Sequence, residues 1–585
     1  MDIYSELKCK IIDQLKILQE EGILSQECSL ELISLERPKN DNFGELSTNA
    51  AIILARFSKL ESIHLAEHIA NKLNNLEGVA EATIAHPGFV NLRLDPQLWQ
   101  NVIGTILNDP SQFGRADLGK GQAINLEFVS ANPTGPLHIG HTRGAVFGDT
   151  LARLLEFTGY KVTREYYVND GGAQVDTLAR SAFRAYEKEH GRNANEAMEK
   201  SPGDYYSGSY IEELGIKLKN KFGSELLGKQ EDQWLEKVKD LSISHLLQII
   251  KNELEQLGVH FDNFVHEKQL YNDQRVEESL ARLEKMGMIY EGSLPPPKGK
   301  KLDDWEPRQQ TLFKSTQFGD DVDRPIKKAD GSWTYFAPDI AYHYDKISRG
   351  YSTLINILGH DHGGYVKRLK AVVKALSEGK VDYTVKLIQL VNVIEGGEKA
   401  KMSKRAGNFV MQSEALNAVG ADVTRFVMLM RKNDMALDFD FQKVQEQSKD
   451  NPVFYVQYAH ARICSLLNRA SEEGKKPDDI ALSKADFELL AAPEHIRFIR
   501  RLAEWPRVIK LASKHTEPHR IAFYLVDLAS EFHAFWTQGQ DNINLRILQP
   551  NNYSHTMAGL AMARATGIII ALGLGILGVK PIIKM

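Results

Sequence analysis

The sequence predicts a multidomain α/β fold: a parallel sheet with long insertions, an α+β N-terminal domain before it and a C-terminal all-α helical bundle after it. Three observations predict this. At 585 residues the chain is too long for a single hydrophobic core. A strand–helix–strand pattern begins at Ala123. Beyond Asp450 the apolar spacing is helical, with few strand signals.

Residues 1–112 read as the first unit. Tyr4–Glu21 is a helix with Leu7, Ile11, Ile12, Leu15 and Leu18 on one face. A second amphipathic helix covers Ala50–Leu60, and short strands at Ala82–Ile84 and Phe89–Leu94 flank the turn His86-Pro87-Gly88. Residues 113–395 form the sheet domain. Ala123–Val129 is a buried-strand pattern, Ser130–Pro136 a loop, and Thr142–Gly159 a helix burying Val146, Phe147, Leu151, Leu154 and Leu155. Lys161–Val168 returns as a strand, which makes a right-handed, Rossmann-like βαβ unit. The stretch around 170–350 is too long for one crossover and reads as an insertion, helix-rich up to Leu294. Sheet patterning resumes with Thr353–Leu358 and Lys386–Val393. Residues 396–449 form a Lys-rich loop and connecting region, and 450–585 the helical bundle.

Composition bounds the function. Hydrophobic content of 43% and charged content of 25% are ordinary for a globular protein. Cys9, Cys28 and Cys464 form no close pair, which excludes a Cys-x-x-Cys zinc site and a disulfide framework and fits a reducing cytoplasm. The acidic start Met1-Asp2-Ile3-Tyr4-Ser5-Glu6 is not a signal peptide pattern. Thr566–Val579 is apolar but short and interrupted by glycine, so it reads as a core helix and no membrane partner is expected. Net charge is −5, but residues 451–585 hold 16 Lys+Arg against 12 Asp+Glu, or +4, leaving −9 on the remainder. Any contact with nucleic acid must therefore be local.

Two motifs carry chemistry. His138-Ile139-Gly140-His141 sits where a strand ends, a loop turns and a helix begins. Backbone N–H groups and the helix dipole favour anions there. Two imidazoles three residues apart can hydrogen-bond phosphate oxygens, and Gly140 leaves the backbone open to a flat purine. Far downstream, Lys401-Met402-Ser403-Lys404 lies in a loop with Lys399 and Arg405 between glycines. Alone, such a run is usually a solvated surface loop. With a polyphosphate as target, its ammonium groups would stabilise charge building on departing pyrophosphate.

Ala131-Asn132-Pro133-Thr134-Gly135-Pro136-Leu137-His138-Ile139-Gly140-His141 resembles the HIGH signature of arginyl-tRNA synthetases, class I enzymes. Glu36-Arg37-Pro38-Lys39, Gly88-Phe89-Val90-Asn91, Arg164–Gln174, Gly359–Tyr365 and Val456–Arg462 resemble further segments of that family, in the same order. The resemblance implies a catalytic sheet domain and a tRNA-binding unit at each end. It implies L-arginine, ATP and arginine tRNA as substrates, Mg2+ arriving with ATP, no protein-held metal, and a monomer. His138, His141, Lys401 and Lys404 would act on the phosphates, with Pro136, Gly140, Asp361, His362, Met402 and Ser403 around ATP. Glu127, Ser130, Asn132, His138, Tyr335 and Asp339 would bind arginine. A guanidinium is planar and always charged, so its pocket needs fixed carboxylates.

Departures from the pattern also inform. Many family members lack the second KMSK lysine and carry a lysine two residues ahead of the position held here by Leu137. This chain has Gly135 there and keeps Lys404. His360 and Gly363 also differ from the residues usual at their positions. Tyr455, Tyr458, His460 and Arg462, and Phe532, Phe535 and Trp536, are aromatic or cationic clusters that read as core more often than as base platforms. The alternative to an enzyme is a catalytically silent tRNA-binding paralogue. Its expected signature, broken His or Lys positions in the two motifs, is absent.

Overall fold

The computed structural model describes residues 2–38, 40–192, 205–294, 309–328, 331–395, 397–399, 410–446 and 451–585. The N-terminal part packs helices against an antiparallel sheet. Its strands are β1 (Leu35–Glu36), β2 (Leu46–Thr48), β3 (Val79–Ala85) and β4 (Phe89–Leu94), in the order β1-β2-β4-β3. The first helix, Ile3–Glu20, buries Leu7, Ile11, Leu15 and Leu18 at the expected spacing. The helix expected over Ala50–Leu60 stops at Leu54 and tightens to a 3-10 turn over Ala55–Phe57. Ser58 ends it: its hydroxyl donates to the Ile23 carbonyl at 2.8 Å and turns the chain away.

The central sheet has five parallel strands: β5 (Ala123–Glu127), β6 (Lys161–Val168), β7 (Asn263–His266), β11 (Thr353–Gly359) and β12 (Asp382–Ile388). Between β7 and β11, an antiparallel sheet of β8 (Ile289–Gly292), β9 (Gln310–Phe313) and β10 (Arg324–Lys327) stands apart. The spatial order is β12-β11-β5-β6-β7. The strand order reverses between β5 and β11, and the crevice at the carboxyl ends of those two strands is where ligands bind in such sheets. The stretch around 170–350 is thus two connections, because β7 inside it belongs to the main sheet. All four β7 residues are half-buried, with neither alternation nor an apolar run to announce a strand.

The expected strand Lys386–Val393 is two strands. β12 ends at Ile388, and β13 (Val391–Glu395) joins β14 (Glu398–Lys399) and β15 (Leu437–Asp440) in a separate sheet. Arg143 holds the break open. Its buried guanidinium donates to the carbonyls of Gln389 at 2.9 Å, Met435 at 2.8 Å and Lys432 at 2.9 Å. Beyond Asn451 the described chain is helical. Its last helix, Tyr553–Leu577, is long and apolar enough to cross a membrane, yet 78% of its most apolar window is buried in the protein. It is the core helix of the bundle, longer at its start than the apolar run alone suggests.

Candidate active site

The 138–141 turn is built from the backbone outward. Helix Ile139–Phe157 starts three residues before the expected Thr142 because His138 caps it. His138 Nδ1 accepts the Gly140 N–H at 3.2 Å, and His141 Nδ1 accepts the His138 N–H at 3.3 Å. The two rings stack with centroids 3.6 Å apart. With Nδ1 of each ring turned to a backbone N–H, Nε2 is the ring position that can donate to a phosphate oxygen. Gly140 leaves the cap its room: a Cβ would stand 3.0 Å from the His138 ring, which would have to shift. Gly148, two turns along, lets the helix settle on β5, where a Cβ would meet the Phe128 ring at 2.3 Å.

The loop before the turn is braced by β6. Tyr166 Oη donates to the Ala131 carbonyl at 2.8 Å, and the Tyr167 N–H to Ser130 Oγ at 3.1 Å. Val129 and Ser130 both have positive φ, 65° and 40°. A β-branched residue in that region is strained, and strain of this kind gathers at functional sites. Asn132 is exposed and donates to Gln174 at 2.8 Å. Pro133 is buried, Thr134, Gly135 and Pro136 are half-buried, and Leu137 and Ile139 lie in the core.

Lys401, Met402, Ser403 and Lys404 lie outside the described residues. The segment that follows them does not. Ile139 N–H donates to the Val410 carbonyl at 3.0 Å, and Gln412 N–H to the Leu137 carbonyl at 2.9 Å. His138 and Met411 thus form an antiparallel bridge. Gln412 also donates to the Glu253 carbonyl at 2.7 Å and accepts from Thr142 at 3.1 Å, while the Glu253 carboxylate accepts the Leu137 N–H at 2.8 Å. Glu253 and Gln412 were not legible as site residues, because their partners lie more than a hundred positions away.

The other half of the site lies between the sheet and helix Phe336–Ser348. Asp339 is half-buried near its start. Burial first, then the charges of Glu127 and Glu267, push its carboxyl up to about 7. Glu267, just beyond β7, accepts from Tyr167 Oη at 2.8 Å, and burial raises its carboxyl too. Sequence reasoning missed Glu267, since β7 itself was not visible. Tyr335 precedes the helix and is 77% exposed. Glu127 closes β5, buried, with one oxygen on Lys346 Nζ at 2.6 Å and the other on Ser130 Oγ at 3.1 Å. Glu165 on β6 binds Arg349 through both oxygens and accepts from Tyr342 at 2.9 Å. Burial opposes its charge, but Arg349, Lys346 and Tyr342 outweigh this and hold it at about 2. Asp361 and His362 follow β11 on an exposed turn, with 3.7 Å between carboxylate and ring nitrogen. Among the described residues no group of three or more His, Cys, Asp or Glu is placed to hold a metal ion.

In the C-terminal bundle Phe532, Phe535 and His460 are buried, as core residues are. Arg462 lies 4.5 Å over the half-buried Tyr458 ring and 5.3 Å over Trp536.

Three family models match in sequence order. The arginyl tRNA synthetase N terminal domain covers residues 5–94, the class I (R) tRNA synthetase catalytic domain 102–466, and the DALR anticodon binding domain 456–585. The arginine–tRNA ligase of Ruegeria sp. (strain TM1040) is 52% identical over 585 residues, and that of Paracoccus denitrificans (strain Pd 1222) 51%, each covering 100% of both chains. Among solved structures, the Thermus thermophilus arginyl-tRNA synthetase aligns with a TM-score of 0.71 at 19% identity, over 100% of both chains. The Plasmodium falciparum enzyme aligns at 0.70 and 16% identity, over 100% of this chain and 99% of its own. At those identities the structural likeness concerns the fold, whereas the two relatives about half identical over their whole length concern the family. The chain belongs to the arginyl-tRNA synthetases, of class I.

Proposed function

We propose that this protein is an arginine–tRNA ligase. It activates L-arginine with ATP to arginyl-adenylate and pyrophosphate, then transfers arginine to the 3′-terminal adenosine of arginine tRNA, at the 2′-OH. The observation that carries this reading is the bridge between residues 137–139 and 410–412 at the switch point of the sheet. It anchors the chain that follows Lys404 to the helix start carrying His138 and His141.

The arginine carboxylate attacks the α-phosphorus of ATP, and the bond from that phosphorus to the bridging oxygen of pyrophosphate breaks. The nucleophile is already ionised, so no general base is needed, and rate comes from positioning and charge stabilisation. In this reading the Nε2–H groups of His138 and His141 donate to the phosphates, and Lys401 and Lys404 meet the leaving pyrophosphate. Mg2+ comes with ATP, held chiefly by phosphate oxygens. Asp339 and Glu267 face the guanidinium, with Asn132 and Ser130 toward the amino-acid backbone. The two end domains hold arginine tRNA, and the enzyme works in the cytoplasm as a monomer. The deciding assay is arginine-dependent exchange of pyrophosphate into ATP, with and without tRNA. Exchange with arginine and no other amino acid supports the reading; absence of exchange under both conditions refutes it.

A further inference from the structure

Lys346 is a lysine with 0% of its side chain exposed, in the wall of the arginine pocket. Its ammonium lies 2.6 Å from Glu127, 3.3 Å from Asn356 Oδ1 and 4.3 Å from the centre of the Tyr342 ring. It stands seven residues after Asp339 on one helix. Seven residues are about two turns, so the two side chains share a face. Both Glu127 oxygens already have a partner, Lys346 on one and Ser130 on the other. The position from which the resemblance expects help in binding arginine is therefore already neutralised from inside the protein. Glu165 is likewise matched by Arg349. Two carboxylates of this wall, Asp339 and Glu267, have no ammonium or guanidinium within ion-pair distance among the described residues.

We infer that Lys346 is a positioning residue that sets the charge of the arginine pocket: it holds Glu127 as an internal ion pair and leaves Asp339 and Glu267 to answer the substrate's guanidinium. Buried ion pairs add little net stability compared with well-packed apolar residues, but losing one partner strands the other charge. Without Lys346, Glu127 would be an uncompensated acid facing Asp339. The pocket would then hold three carboxylates for one guanidinium, and the arriving cation would be drawn toward the floor and out of line with ATP. The inference rests on the proposed arginine pocket.

The test compares K346M, E127Q, the E127Q/K346M double variant and D339N, in pyrophosphate exchange with tRNA present. For each, the kcat with arginine, the arginine KM and the ATP KM are measured. K346M should lower kcat with arginine at least about tenfold without raising the arginine KM, and leave the ATP KM within about twofold. E127Q/K346M, with both charges gone, should recover most of that loss. A double variant as defective as K346M, or an ATP KM that rises in step with the arginine KM, overturns the inference, since packing alone would act that way. If K346M does not fold, E127Q/K346M is compared with wild type, and a tenfold lower kcat in it has the same force. D339N separates the two levels: an unchanged arginine KM there removes the pocket reading itself.

Discussion

The two faces of the central sheet are built from the same strands but behave as different materials. On one face Ile124, Leu126 and Phe128 pack against helix Ile139–Phe157, and every one is buried and apolar. On the other face Glu127, Glu165 and Asn356 meet Lys346, Tyr342, Arg349 and His343, all joined by hydrogen bonds or ion pairs. Alternation along a strand puts Leu126 on the first face and Glu127 on the second. The apolar face fixes where the 138–141 turn stands. In the proposed reading the polar face gives the arginine pocket its charge. A residue's contribution should follow its face: stability on one side, substrate selection on the other.

The largest effect is expected where the two faces meet, at the carboxyl edge of the sheet. In the proposed reaction the triphosphate takes a second cation, from Lys404 or from position 135. Lys404→Ala should lower the rate of pyrophosphate exchange by about 10²–10³, the usual loss of one preorganised group. Adding Gly135→Lys should return about a tenth of the lost rate or more. Gly135 has the room, since a Cβ would touch the Tyr210 ring at an ordinary 3.5 Å. No recovery in the double variant would mean that the edge accepts the cation from one side only.

Next comes the apolar face. Leu126 is fully buried, so Leu126→Ala should cost about 2–5 kcal/mol in urea unfolding. Both KM values of the folded fraction should stay unchanged. An altered arginine KM would break the division of labour, by showing that packing behind β5 tunes the pocket.

The polar face should respond in the opposite sense. Asp339→Asn keeps the shape and removes the charge. It should raise the arginine KM roughly a hundredfold, or about 2.7 kcal/mol, with little change in ATP KM or unfolding midpoint. Equal changes in both KM values would place Asp339 in the shared framework instead of the arginine site.

These two faces were unequally legible in the sequence. The Ala123–Val129 run, the helix after it and the strand at Lys161 all announce themselves by apolar period, and the structure has them. The turn was legible because two histidines around a glycine at a strand–helix junction are a local pattern. The polar face was legible only through the family resemblance, which pointed to Glu127 and Asp339 but not to their partners. Glu127 looks like the polar end of a strand, and nothing near it in the chain points to Lys346, 219 positions later. Glu267 follows a strand of four half-buried residues. Gln412 and Glu253 gain their meaning from a bridge that forms only once the chain has folded. Local periodicity reports burial; it is silent on which charges meet across the sheet.

The smallest effect is a pH dependence confined to the polar face. Asp339 titrates at about 7 in the free enzyme, raised by burial and by the neighbouring Glu127 and Glu267. A guanidinium binds the ionised form, and kcat/KM reports the free enzyme. The arginine kcat/KM should therefore be level above about pH 7 and fall about tenfold per unit below about pH 6, while the ATP KM stays flat. The stability sign is the reverse of that of an ordinary paired carboxylate. An unfolded aspartate titrates near 4, so between about pH 4 and 7 the folded state binds the extra proton and this group's contribution falls as pH rises. Arginine, by binding the ionised form, should oppose that fall and stabilise the protein more at pH 8 than at pH 6. Asp339→Asn should abolish both slopes, and Leu126→Ala should leave both in place. Slopes that survive in Asp339→Asn would assign the titration to Glu267, and with it the main guanidinium partner.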